Sequence, residues 1–96
     1  MKHVTEVVIY QVKKDQIPQF SDLSNRAETF LQEQHGFLER QVLQDLNDPS
    51  IFSDIIKWES VGHFESAMKA TEQNADLKPF FEATEQTISF SIYNSL

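Results

Sequence analysis

The stretch "VTEVVIYQV" carries apolar side chains on both faces of an extended chain. Val4, Val8, Tyr10 and Val12 fall on one parity, Val7 and Ile9 on the other. Side chains along a strand alternate between the two faces of a sheet, so a strand patterned this way is buried on both. The stretch 51–59 repeats the pattern, with Phe52, Ile56 and Trp58 facing one way and Ile51 and Ile55 the other. A sheet built around two such strands needs a covering layer on each side, and few folds provide that.

The other segments supply one layer. In "KKDQIPQF", Asp15 is a candidate N-cap and Pro18 fits the first turn of a helix with the stripe Ile17, Phe20, Leu23, Ala27, Phe30 and Leu31, ended by Gly36. Leu38, Val42 and Leu46 alternate with polar residues and predict a second strand over 37–46. "DLNDPS" is a turn, so the second and third strands form a hairpin. Ser60 caps a second helix with the stripe Val61, Phe64, Ala67, Met68 and Thr71. "ADLKPFFEA" holds one or two further helical turns, and Ile88, Phe90 and Ile92 alternate with Thr87, Ser89 and Ser91 in a last strand. The order is β-α-β-β-α-β, a ferredoxin-like α+β sandwich, with residues 1–96 read as one domain. Two helices cover one face of a four-stranded sheet and nothing remains for the other. A second copy of the same sheet is the simplest cover, giving a homodimer through the open sheet face.

Composition narrows the partners. With 15 acidic and 8 basic residues the net charge is −7, which argues against nucleic acid or an anionic membrane. There is no cysteine, hence no disulfide, thiol nucleophile or thiolate metal site. No apolar run approaches a membrane span and "MKHVTEVVIY" lacks a signal-peptide core, so a soluble, cytoplasmic protein is expected. No H-x-x-x-H, H-E-x-x-H or carboxylate-rich loop supports a metal, and the two glycines, Gly36 and Gly62, make no phosphate loop. No cofactor is expected.

Four residues carry potential chemistry. Trp58, the only tryptophan, is either a core residue under the second helix or a wall of a ligand pocket, and can be both. Asp54 is the odd residue in an otherwise apolar strand. On the helix-facing side it is a buried acid/base candidate, whereas a register slip puts it in solvent. His63, near a helix N-terminus that disfavours its charged form, either reaches a pocket rim as a neutral base or faces water. Tyr10 offers a hydroxyl to a phenolic ligand or is an ordinary core tyrosine.

The local marks "HGFLERQVLQDLNDPSIF" and "WESVGHFE", together with the order of elements, resemble the antibiotic-biosynthesis monooxygenase family of dimeric α+β barrel proteins, which includes quinol monooxygenases. The resemblance implies a pocket between sheet and helices in each subunit, where a phenolic or quinol-like substrate is oxygenated without flavin or metal, by proton removal and electron transfer to oxygen. Trp58 matches a pocket tryptophan of some members and His63 a histidine in the first turn of the following helix. Where members carry another histidine one turn on, this chain has Ala67 and Met68. Haem-degrading relatives need an asparagine on the first strand where Val7 stands, which disfavours haem. The expectation is a cofactor-independent monooxygenase with His63 and then Asp54 as base and a substrate wall of Trp58, Tyr10, Phe64 and Met68. The alternative is a non-catalytic small-ligand-binding or dimerisation module of the same fold.

Overall fold

The computed structural model describes residues 3–96. Strand β1 (Val4–Val12) leads through a 3-10 turn at Lys14–Gln19 into α1 (Phe20–Gln32). There follow β2 (Phe37–Gln44), β3 (Ile51–Trp58), α2 (Val61–Gln73), a 3-10 turn at Ala75–Leu77, α3 (Lys78–Ala83) and β4 (Thr84–Asn94). The strands pair antiparallel in the order β2-β3-β1-β4, the ferredoxin-like arrangement. No helix among the described residues is long and apolar enough to cross a membrane.

The doubly apolar strands β1 and β3 are the two central ones, as their pattern requires. Their even-numbered residues face the helices and form two clusters. Val4, Ile56, Trp58 and Ala67 pack with Phe37 and Phe64 at one end, and Tyr10, Val12, Phe20 and Phe52 pack with Val8 and Phe80 at the other. The odd-numbered Val7, Ile9, Ile51 and Ile55 point to the opposite face, where they are half-buried beside the exposed Leu43 and Tyr93.

Local chemistry fixes the connections. In the hairpin the Asp45 carboxylate accepts the N–H groups of Asn47 and Asp48 at 3.0 and 2.9 Å, and the Asp48 carboxylate accepts the Ser50 N–H and hydroxyl at 3.0 and 2.7 Å. Ser60 caps α2 by accepting the His63 N–H at 3.3 Å.

Three local expectations are corrected. The second strand ends at Gln44, so Leu46 lies in the turn and is 95% exposed rather than inward. A register shift between Phe37 and Glu39 inserts Leu38 as an extra residue and leaves it exposed, since a bulge turns the following side chains over. Asp15 does not cap: the chain enters a 3-10 turn after Lys13 with no side-chain cap bond, and α1 proper starts only at Phe20. In α1 the small Ser24 is buried with Phe20 and Ala27, while Leu23 is half-buried.

Gly36 joins α1 to β2 at φ 81°, where its carbonyl accepts the Glu59 N–H at 2.8 Å. A Cβ there would collide with Cβ and Cγ of His63. Gly36→Ala adds left-handed backbone strain to overpacking and is expected to cost at least about 2 kcal/mol. A lowered urea midpoint with unchanged slope would show it. Because the His63 Cβ is itself part of the clash, adding His63→Ala is expected to leave most of the loss in place.

Candidate functional site

Between the two core clusters the inner face of the sheet turns polar. In register, Glu6 on β1 lies opposite Ile56 and Val8 lies opposite Asp54 on β3, while Arg40 on β2 pairs with Ile56. Three charged side chains therefore occupy neighbouring inward positions. Above them the helices stand off the sheet and leave a cavity of about 870 Å³, within the size range of small-molecule sites. Its walls include Ile56 and Trp58 from the sheet, Phe30 and Leu31 from α1, Phe64 and Met68 from α2, and Phe80 and Phe81 from α3. Glu6, Tyr10, Arg40 and Asp54 are the polar groups of its floor.

Arg40 organises that floor. Its side chain is 1% exposed. Nε and Nη2 both donate to Asp54 Oδ2, at 3.2 and 2.9 Å, and Nη1 donates to the Ser24 carbonyl at 3.0 Å and to Glu28 Oε1 at 3.3 Å. The Tyr10 hydroxyl donates to the other Asp54 oxygen at 2.7 Å. Burial, reinforced by the Asp54 charge, pushes the Tyr10 hydroxyl well above the ordinary range of a phenol, so it stays a donor. Trp58, 1% exposed, donates its indole N–H to Glu6 Oε1 at 3.1 Å and meets Phe37 edge-on at 5.8 Å. Burial raises the Glu6 carboxyl above its ordinary value and the Asp54 charge adds to the rise, while the Trp58 hydrogen bond and Arg40 oppose it. No buried side-chain polar atom among the described residues lacks a partner.

The residues read from the sequence divide. Trp58, Tyr10, Phe64, Met68 and Asp54 all line the cavity, and Trp58 is core residue and wall at once. His63, the first candidate for the base, is not among the residues that line it. Its Nδ1 lies 2.7 Å from the Ser60 hydroxyl, its Nε2 is 4.0 Å from Glu59, and its ring abuts Gly36 at the outer end of the β3–α2 junction. Glu6 and Arg40 were not singled out as site residues. Their signal was parity: Glu6 shares the inward parity of Val4, Val8 and Tyr10, and Arg40 that of Val42. Among the described residues no group of three or more His, Cys, Asp or Glu could hold a metal ion.

A family described as antibiotic biosynthesis monooxygenase matches residues 3–83. No curated protein sequence matches the chain. Among solved structures the chain is similar to a conserved protein from Methanosarcina mazei Go1, at 20% identity and TM-score 0.80, covering 100% of this chain and 95% of that one. It is similar as well to SnoaB, a cofactor-independent oxygenase from Streptomyces nogalater, at 17% identity and TM-score 0.80, with the same coverage. At these identities the likeness carries the fold.

The Arg40–Asp54 pair supplies a direct test of the floor. Removing one partner leaves the other charge buried and unmatched, so Arg40→Leu is expected to lower unfolding free energy by about 3–5 kcal/mol. Arg40→Leu combined with Asp54→Leu is expected to recover part of it, and equilibrium denaturation of the two variants checks the difference.

Proposed function

Because the chain belongs to the antibiotic biosynthesis monooxygenase family, we propose that it oxygenates a small aromatic or quinol-like molecule in the cavity, with no flavin or metal. The observation that carries this reading is the pairing of an apolar roof with buried carboxylates in the floor. Such an enclosure binds a flat apolar ring by burial and excludes water from it. Loss of a proton from the substrate to a floor carboxylate leaves an electron-rich anion, which passes an electron to oxygen. Recombination of the two radicals forms the carbon–oxygen bond. One oxygen atom stays in the product, and the other leaves as water with two substrate hydrogens. The substrate supplies the electrons, and the protein supplies the base and the enclosure. Trp58, Phe64 and Met68 flank the ring, and Tyr10, Arg40 and Asp54 hold the floor in place.

Two copies of the chain meet through the open face of the sheet, on the face that presents Val7, Ile9, Ile51 and Ile55. A stable interface buries about 800 Å² per partner, and an antiparallel sheet with an apolar outer face offers a surface of that kind.

Oxygen uptake with a panel of quinols and anthrone-like phenols, in the presence of a chelator and without added cofactor, tests the activity. Turnover is expected in the wild type and in His63→Ala, with a loss of at least about ten-fold in Asp54→Asn as the floor loses its geometry. A greater loss in His63→Ala would return the base role to the imidazole. Ligand binding without uptake across the panel would leave a binding module instead. Size-exclusion chromatography with light scattering is expected to give twice the 11.2 kDa chain mass. Ile55→Lys, which places a charge on the shared face, is expected to shift it to the monomer.

A further inference from the structure

The two floor carboxylates are not equivalent. An ionised carboxylate has about four lone-pair positions for donors. Asp54 already accepts from Tyr10 and twice from Arg40, whereas among the described residues Glu6 accepts from Trp58 alone. The buried cation is spent as well, since Arg40 turns all three of its nitrogens to Asp54, Glu28 and the Ser24 carbonyl. Around the cavity the acids Glu6, Asp54, Glu72 and Glu82 outnumber the bases Arg40 and Lys78. A ligand anion therefore meets a floor of net negative charge whose one cation, Arg40, is already engaged, and of the lining bases it is left with Lys78, exposed on α3. A hydroxyl finds an acceptor with lone pairs to spare.

We propose that Glu6 selects the ligand of this cavity: it accepts the hydroxyl proton of a neutral hydroxyaromatic molecule, first as a hydrogen bond and then as the base, and it turns away carboxylated or phosphorylated analogues. The inference rests on the reading of the cavity as the ligand site and adds the residue and the charge class. In the reactive step the ligand O–H bond breaks, a carboxyl O–H forms on Glu6, and the electron pair stays on the ligand oxygen. Burial, by making Glu6 a weaker acid, makes it a stronger base for that step. The Trp58 indole fixes one carboxylate oxygen from the side and so aims the group into the cavity.

Trp58 is the only tryptophan, so its indole N–H gives a single cross-peak in a nitrogen–proton correlation spectrum, one hydrogen bond from Glu6. Titration with 2-naphthol and with 2-naphthoate under anaerobic conditions compares two probes of the same ring that differ in charge. In the wild type that peak is expected to move with both, with 2-naphthol bound at least about ten-fold more tightly. In Glu6→Gln, which keeps the size and an acceptor for the indole, the ratio is expected to fall to about three-fold or less. Equal or tighter binding of 2-naphthoate by the wild type, an unchanged ratio in Glu6→Gln, or no shift of the peak with either probe would overturn the inference. The wild-type comparison holds whether or not the variant folds. Because no turnover is involved, intact discrimination without oxygen uptake refutes only the oxygenase reading, and uptake without discrimination refutes only the role of Glu6.

Discussion

The contact of Arg40 with Asp54, two N–H groups on one carboxylate oxygen, is the interaction on which the rest of the inner architecture depends. Through one guanidinium it joins β2 to β3, reaches the backbone of α1 at Ser24, and by way of Asp54 and Tyr10 extends to β1. A buried ion pair contributes little net stability compared with an apolar core of the same volume, because both charges lose their water. What it fixes here is position. Helix α1 is held to the sheet at one point by a charged contact, and the apolar clusters close on either side of it. The space above the charged row stays open as the cavity.

Much of this was legible in the sequence where one physical rule dominates. The apolar residues on both parities of β1 and β3 placed these strands at the centre, and Ser60 announced the start of α2. Where two rules compete, the pattern misled. Leu38 and Leu46 alternate correctly for a buried strand, but a bulge displaces the first and the Asp45 turn claims the second. His63 stands in a helical first turn that suggests a pocket rim, yet the close approach of Gly36 and the bond to Ser60 hold it outside. Glu6 and Arg40 are the instructive pair, since each breaks an inward apolar pattern alone. Only the strand register brings Glu6, Arg40 and Asp54 together and makes the three interruptions one arrangement.

The same arrangement gives Trp58 two roles that physics does not oppose. Its ring completes the cluster with Val4 and Ile56, while its one polar atom needs a buried acceptor, which Glu6 supplies. Glu6 in turn has its burial partly offset by that hydrogen bond. The aromatic core and the polar floor thus meet in a single contact between β1 and β3.

One further consequence follows from how the cavity's boundary is divided. Its floor belongs to paired strands and to side chains that serve the core, so almost any change there disturbs folding. Its roof, by contrast, is made in part by Phe64, Met68, Phe80 and Phe81, half-buried or exposed residues on α2 and the six-residue α3. Heritable change in what the cavity accepts is therefore cheapest in the roof. The shape of the enclosure can thus vary with the roof, while the hydroxyl recognition assigned to Glu6 stays tied to the strands that the fold needs.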